Sequence, residues 1–229
     1  MNFTHISSNG QDQSDCGDLI KKCKTVDYAL NKTKSNNITL VFQTSATESL
    51  KYNWTKPLNG TNSIRFFKDN PEGRNPTIYG NNQPLIRRGE VDIIIDSINL
   101  HEVSLIDSVH SDSKISLTIN RSSIYLTRSN FVSIKHAKKV QISFENSLLK
   151  SLFIIEGDKM FIDKYFWLDV ERNDNTSHIV ISKTKISGGR FQVKNVRLFH
   201  LTECLIKNNT PKTMLKVDTT EKTPFAWKQ

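Results

Sequence analysis

Short runs of alternating apolar and polar residues follow one another from about residue 38 to the C-terminus, with almost no helical spacing. Asn, Ser, Asp, Gly and Lys residues separate these runs. The clearest are Ile38–Phe42, Ser63–Phe67, Val91–Ile95, Ile115–Ile119, Val140–Phe144 and Ile179–Ile181. Many short strands at such spacing predict an all-β fold, built as a solenoid, a sandwich or a barrel.

A second regularity is a recurring phrase in which a small polar residue is followed, two positions later, by Ile or Leu. It occurs at Ser122–Ile124, Ser147–Leu149, Thr184–Ile186 and Cys204–Ile206, with a looser copy at Asp96–Ile98. The first four copies are 25, 37 and 20 residues apart. One coil of a parallel β-solenoid takes about 20–25 residues, so the longer step predicts an insertion, with a turn at residues 156–158.

One segment near the N-terminus has helical spacing. Val26, Ala29 and Leu30 lie at positions i, i+3 and i+4 and form one apolar stripe. Thr25 is a suitable N-cap, and Asp27 places a negative charge in the first turn, where it suits the helix dipole. The sequence therefore predicts a short amphipathic helix just before the first strand.

The residues around this helix resemble a known family. Cys16-Gly17, then Cys23 to Leu30, then Ile38-Thr39-Leu40 are similar to the start of right-handed parallel β-helix (pectin-lyase-like) domains. Pro76 to Gly80 matches a turn that follows one or two coils later in such domains. The resemblance implies a helix that closes the N-terminal end of the solenoid, and such starts are typical of large extracellular repeat proteins.

Together these patterns predict an all-β protein, a right-handed parallel β-helix with a short N-terminal capping helix. An irregular β-sandwich is the alternative fold. We expect a loose polar arm at 1–15 and a single β-helix domain at 16–229. Within that domain we assign a helical cap to 16–36, coils to 37–218 and a tail to 219–229.

Two aromatic segments fall outside the strand pattern. Residues 161–170 are rich in aromatic side chains, which we expect to pack on a loop or an open face of the solenoid. A sugar-stacking platform is the functional alternative for this segment. Phe225 and Trp227 either fold back over the last coil or precede further chain, because an uncovered solenoid end aggregates.

The three cysteines bear on the cellular compartment. Cys16 and Cys23 are close enough in sequence for a disulfide that closes a local loop. Cys204 lies in an apolar stretch and is predicted to be a buried, unreactive thiol, with an intermolecular bridge or a reactive thiol as the alternative. A disulfide favours a secreted or cell-surface protein.

N-glycosylation sequons favour the same compartment. They occur at Asn2, Asn31, Asn37, Asn53, Asn59, Asn120, Asn175 and Asn208. The first five residues lack the basic and apolar regions of a signal peptide. We therefore expect a chain whose signal was removed, a fragment, or a protein that is not secreted, and we favour an extracellular or cell-surface location.

The chain is basic, with a net charge of +9 and a pI near 9.4. Its Lys and Arg residues are scattered and form no basic helix, so we expect no nucleic-acid partner. No apolar run is long enough to span a membrane. A scattered positive charge on long β faces favours acidic glycans or a cell-surface protein as partners.

No pattern of catalytic residues is recognisable. The N-T-D, D-D, G-H-G and R-I-K motifs of polygalacturonases are absent. Acid–base cleavage of a glycosidic bond needs two positioned carboxyl groups, and the acidic residues do not recur as pairs at coil spacing. The histidines form no metal-binding pair. We predict no catalytic, cofactor-binding or metal residues, and one hypothesis places His101, Glu102 and Asp107 in a common groove.

The leading functional hypothesis is a non-enzymatic extracellular or cell-surface module. It would act as a rigid spacer or adhesion domain and bind glycans through its outward faces. The alternative is a polysaccharide lyase or glycoside hydrolase whose site has no familiar motif. A third hypothesis is a purely structural part of a larger chain.

Overall fold

The computed structural model describes most of the chain. The described residues are 3–33, 36–57, 63–81, 83, 85, 90–108, 114–126, 132–137, 139–151, 154–156, 159–161, 166–170, 178–187, 191–194, 198–207, 215–218 and 225–228.

Within these ranges the chain forms one helix and a succession of short strands. The helix α1 is Val26–Lys32. The strands are β1 (Phe3–Ile6), β2 (Asn37–Phe42), β3 (Lys51–Asn53), β4 (Ser63–Lys68), β5 (Thr77–Tyr79), β6 (Val91–Asp96), β7 (Asn99–His101), β8 (Ile106–Ser108), β9 (Lys114–Asn120), β10 (Ser123–Leu126), β11 (Val132–Ala137), β12 (Lys139–Glu145), β13 (Leu148–Ser151), β14 (Ile154–Glu156), β15 (Lys159–Phe161), β16 (Phe166–Val170), β17 (His178–Ser182), β18 (Lys185–Ser187), β19 (Phe191–Lys194), β20 (Leu198–Thr202), β21 (Leu205–Lys207), β22 (Leu215–Asp218) and β23 (Phe225–Lys228).

Three parallel sheets form the walls of a solenoid. The nine-stranded sheet has the order β1-β2-β4-β6-β9-β12-β17-β20-β23, the seven-stranded sheet β21-β18-β13-β10-β7-β5-β3, and the five-stranded sheet β22-β19-β16-β11-β8. Strands that follow one another along the chain mostly lie in different sheets, so each coil pairs with the next one. The prediction of an all-β parallel β-helix with one short helix is confirmed.

The core is a column of apolar side chains inside the sheets. Every second residue of a strand points inward, and equivalent inward residues of successive coils lie in register. Two such rows in the nine-stranded sheet are Ile38–Ile64–Ile93–Leu117–Ile142–Ile179 and Leu40–Phe66–Ile95–Ile119–Phe144–Ile181, all buried. Burial of each large apolar side chain stabilises the fold by about 1.5–3 kcal/mol.

The passage from the nine-stranded to the seven-stranded sheet is a two-residue turn in five successive coils. Its first residue has a left-handed backbone, which costs a non-glycine residue roughly 1–2 kcal/mol. These residues are Ser97, Arg121, Asn146, Lys183 and Glu203, with φ of 59°, 48°, 48°, 47° and 52°. The second residue of each turn is the small polar residue of the recurring phrase, or Ile98 in the first of these turns.

The second turn residues form a ladder of side-chain hydrogen bonds inside the solenoid. Each hydroxyl donates to the carbonyl two residues earlier and accepts from the N–H of the equivalent residue in the preceding coil. The donor distances are 2.7 Å for Ser122 to Asn120, Ser147 to Glu145 and Thr184 to Ser182. The accepted N–H groups belong to Ile98, Ser122 and Ser147, at 3.1, 3.3 and 3.4 Å. The ladder supplies the bonds that a buried turn needs.

Cys204 occupies the same turn position one coil further on. Its Sγ atom lies 3.3 Å from the carbonyl oxygens of Ile181 and Thr202, and its single S–H is shared between them. The side chain is half-buried, whereas the sequence predicted full burial. The thiol therefore reproduces the donor contact of the ladder, to the carbonyl two residues earlier.

The helix α1 forms the cap that the sequence predicted. The Thr25 hydroxyl accepts the N–H of Tyr28 at 3.2 Å, and Val26, Ala29 and Leu30 are buried. Asp27 has a further role, because its carboxylate accepts the backbone N–H groups of residues 55 and 56 at 2.9–3.2 Å. This carboxylate therefore fastens the helix to the segment that follows β3.

The N-terminal segment corrects the prediction of a loose arm at residues 1–15. Strand β1 pairs in parallel with β2, and Ile6 is fully buried. On the other side of β1, the His5 N–H donates to the carbonyl of Gly17 at 2.8 Å and the Cys23 N–H to that of His5 at 2.9 Å. The polar composition concealed this strand because its partners lie far away in the sequence.

Two further segments can be compared with the sequence predictions, the C-terminal tail and the insertion. The tail assigned to 219–229 contains β23, which pairs with β20 and extends the nine-stranded sheet. Strands β14 and β15 form an antiparallel pair within the long step between turns, as an insertion requires. The turn residues 157–158 and the aromatic side chains of 161–170 lie outside what the structure describes.

Candidate functional site

Two rows of residues in register run along the seven-stranded sheet, one on each side of a row that faces the core. The first row is Lys51–Thr77–Asn99–Ser123–Leu148–Lys185–Leu205, and the second is Asn53–Tyr79–His101–Tyr125–Lys150–Ser187–Lys207. Between them, Ile78, Leu100 and Ile124 point into the core. We call these two rows the basic aromatic face.

Three aromatic side chains stack along the second row. The ring centroids of Tyr79 and His101 are 4.9 Å apart with an interplanar angle of 37°, and those of His101 and Tyr125 are 4.7 Å apart at 23°. These distances match the 4.7–4.9 Å spacing of neighbouring strands, so the register itself produces the stack. His101 therefore lies between the rings of Tyr79 and Tyr125.

Hydrogen bonds of polar side chains hold residues of the first row in place. The hydroxyl oxygens of Ser49 and Thr77 are 2.8 Å apart, and the Ser123 N–H donates to the amide oxygen of Asn99 at 3.1 Å. These bonds hold hydroxyl and amide groups in a repeating line beside the rings. Such a line offers donors and acceptors to a ligand rich in hydroxyl groups.

The charged residues of the basic aromatic face are all lysines. Four lysines and no Asp or Glu occur in its two rows, and Lys51 and Lys185 are exposed. The outward positions of the nine-stranded sheet mix signs instead, with Asp92, Asp96 and Glu145 beside basic residues such as Arg65. The two rows therefore differ from the nine-stranded sheet in carrying no acidic residue.

Ion pairs near the nine-stranded sheet strengthen this contrast. Arg121 contacts Asp96 through two bonds of 3.0 and 2.6 Å, and Lys114 contacts Glu90 at 2.6 Å. The Asp96 carboxylate raises the pKa of Arg121. Charges on this side of the solenoid are therefore partly neutralised within the protein.

The residues proposed to share a groove belong to two different sheets or the turn between them. His101 lies in the seven-stranded sheet, and Glu102 follows it with a left-handed φ of 54°. Asp107 belongs to β8 in the five-stranded sheet, and its side chain lies outside the description. The His101 Nδ1 atom is buried and makes no hydrogen bond, so its ring takes part in the stack rather than in a polar network.

The predicted N-glycosylation sites differ in exposure and in hydrogen bonding. Asn31, Asn37 and Asn53 are exposed. Asn120 is half-buried, its amide oxygen is buried, and the Ser122 hydroxyl of its sequon belongs to the ladder. The other four sequons, at Asn2, Asn59, Asn175 and Asn208, lie outside the described residues.

Cys16 and Cys23 are placed for the disulfide considered from the sequence. Their Cα atoms are 5.0 Å apart and their sulfur atoms are bonded in the structure. Both side chains are buried beneath the cap, and the Lys32 ammonium donates to the carbonyl of Cys16. The bond closes the loop that covers the free edge of β1.

Neither a metal site nor a membrane helix is found among the residues that the structure describes. No three His, Cys, Asp or Glu side chains gather there to hold a metal ion. No helix in that part of the chain is long and apolar enough to cross a membrane. Comparison of the chain with protein-family models, with curated proteins and with solved structures finds no match.

Reasoning from the sequence missed the basic aromatic face, although a signal was present. Tyr79, His101 and Tyr125 are 22 and 24 residues apart, close to the length of one coil. Aromatic residues repeated at that interval occupy the same position of successive coils. This spacing can be interpreted only when the turns fix which residues share a row.

Proposed function

We propose that this protein is a non-enzymatic extracellular or cell-surface module, a rigid spacer or adhesion domain that binds acidic glycans through the basic aromatic face. One observation carries the proposal: two rows in register combine the exposed Lys51 and Lys185 with three stacked rings, and no Asp or Glu occurs in either row. The likeness of residues 16–42 and 76–80 to pectin-lyase-like domains supports it, and membership in that family is part of the proposal.

The physical basis is the match between a repeating surface and a repeating ligand. Backbone hydrogen bonds between coils make a parallel solenoid stiff, so its outward rows keep their spacing. Ammonium groups bind carboxylate or sulfate groups by charge-assisted hydrogen bonds. Hydroxyl and amide groups of the two rows supply the remaining polar contacts to sugar hydroxyls.

Retention on immobilised heparin and polygalacturonate tests the glycan part of this proposal. We expect the wild type to bind both at physiological salt. The double variant Lys51→Gln/Lys185→Gln should bind about tenfold more weakly, since each exposed ion pair contributes about 0.2–1 kcal/mol. The matched control, Arg65→Gln/Lys24→Gln, removes the same charge from the nine-stranded sheet and the cap and should retain most binding.

Three results would contradict the proposal. Absence of retention by the wild type removes the glycan ligand. Equal losses in the two double variants would show that net charge, rather than the basic aromatic face, drives retention. Turnover of polygalacturonate, alginate or heparan-type substrates would replace the binding function with an enzymatic one.

A further inference from the structure

We propose that Asn53 carries an N-linked oligosaccharide whose innermost N-acetylglucosamine packs on the ring of Tyr79. The contact would lie within the basic aromatic face, at the end nearest the cap. This inference rests on the extracellular location in the proposed function. It is independent of whether the face binds a separate glycan.

The register places the acceptor next to the ring. Asn53 in β3 is the direct partner of Tyr79 in β5, and neighbouring strands are about 4.8 Å apart. Tyr52, the residue before Asn53, is buried, and Asn53 itself is exposed on the outward side. The first sugar attached to the Asn53 amide therefore begins one strand away from the aromatic side chain.

The stack orients Tyr79 for this contact. One face of its ring lies against His101 at 4.9 Å, so the opposite face is turned toward the strand of Asn53. A pyranose presents an apolar surface of C–H groups, and such a surface packs well on an aromatic ring. The sugar would extend the row by one member, giving sugar, Tyr79, His101 and Tyr125 in order.

The oligosaccharide would be transferred to Asn53 from a lipid pyrophosphate donor. A bond forms between the Asn53 Nδ2 atom and C1 of the sugar, while the bond from C1 to the pyrophosphate oxygen breaks. The amide loses one proton to solvent, and the lipid pyrophosphate leaves. The sequon Asn53-Trp54-Thr55 meets the sequence requirement for this reaction.

The other described sequons lack a comparable neighbour. The register partner of Asn37 is Ser63, and Asn31 lies on the exposed side of α1. Asn120 has the acidic residues Asp96 and Glu145 as its register partners, and its amide oxygen is buried. Of these four sites, only Asn53 has an aromatic residue as its direct register partner.

Nuclear magnetic resonance of the glycosylated protein tests the contact. The protein would be secreted from a glycosylating host with isotope-labelled sugars, and glycopeptide mass spectrometry would give the occupancy of each site. We expect the innermost sugar at Asn53 to show upfield ring-current shifts that vanish when the same protein is digested to peptides. Tyr79→Phe should keep these shifts and Tyr79→Ser should abolish them.

Folding of the variants is followed by the fluorescence of the fully buried Trp54. The comparison of native and digested wild type decides the question even if Tyr79→Ser fails to fold. Unshifted sugar resonances at Asn53, or an empty Asn53 in a protein glycosylated elsewhere, overturn the inference and leave the proposed function standing. Bare sequons throughout, with free thiols at Cys16 and Cys23, overturn both.

Discussion

Three buried hydroxyl groups satisfy the backbone where the chain turns from the nine-stranded to the seven-stranded sheet. Each of Ser122, Ser147 and Thr184 both donates and accepts within the solenoid. A residue of this size fits the interior beside the left-handed turn residue, and a larger polar side chain would displace the core. This requirement explains the small polar residue of the recurring phrase.

Removal of one ladder hydroxyl should destabilise the fold. Ser147→Ala leaves the carbonyl of Glu145 and the N–H of Ser122 without their side-chain partner, at a cost of about 1–3 kcal/mol. Ser147→Thr keeps the hydroxyl, as Thr184 shows, and should cost much less. Urea unfolding measures both free energies, and equal midpoints for the wild type and Ser147→Ala would contradict the prediction.

His5, in strand β1, should make the N-terminal end of the solenoid less stable in acid. Its pKa is lowered by burial and by nearby Lys22, against the opposing effects of Asp69 and Asp18. Because the unfolded chain takes up the proton first, stability should fall as the pH drops below the ordinary histidine value of 6.5.

Thermal unfolding at pH 7.5 and pH 5 tests this dependence. The wild type should lose more melting temperature on acidification than His5→Gln, because the variant lacks the titrating ring. An identical loss in the two proteins would show that other groups carry the acid sensitivity.

The N-terminal cap is held together by carboxylates that bind backbone amides rather than by ion pairs alone. Asp12 accepts the N–H groups of residues 24 and 25 at 2.9 and 3.0 Å, and Asp27 accepts those of residues 55 and 56. Hydrogen bonds to a carboxylate are among the stronger ones in proteins. They tie the covering loop, the helix α1 and the chain after β3 into one unit.

The Cys16–Cys23 disulfide should stabilise this unit. A cross-link that closes so short a loop removes unfolded-state entropy worth about 2.5 kcal/mol. Cys16→Ser/Cys23→Ser should therefore lower the melting temperature and expose the edge of β1 to proteolysis. Cys204→Ser is the control, because a hydroxyl fits the ladder, and it should leave the melting temperature nearly unchanged.

Thiol-labelling mass spectrometry identifies the redox state in the same samples. Two unlabelled cysteines before reduction, and three labelled after it, are expected for the folded wild type. Three accessible thiols without any reductant would contradict the bridge.

In the part of the chain that the structure describes, the strands of each sheet pair with those of the neighbouring coils. The strand contacts run from one coil to the next in all three sheets, so stability is the sum of local interfaces. A solenoid of this kind opens in sections rather than all at once.

Leu117→Ala tests this local cooperativity. Leu117 is buried between Ile93 and Ile142, and its truncation should cost about 2–5 kcal/mol. Hydrogen exchange should accelerate most in β6, β9 and β12, and much less in β1 and α1. A uniform increase along the chain would indicate a single cooperative unit.

The sequence by itself determined the alternation of inward and outward residues, the coil length and the capping helix. These features are local: strand alternation has a period of two, and Thr25 with its apolar stripe specifies α1 within a few residues. The recurring phrase marks three of the five described turns with a buried Ser or Thr hydroxyl.

Only the tertiary structure decided which distant residues meet. Strand β1 forms because β2 offers it a sheet edge, and the basic aromatic face exists because the register aligns Tyr79, His101 and Tyr125 on adjacent strands. Inter-coil register depends on the lengths of every loop and insertion, including the antiparallel pair β14–β15, and no single segment encodes it. The juxtaposition of Asn53 and Tyr79 has the same origin, since residues far apart in sequence become neighbours only when the coils stack.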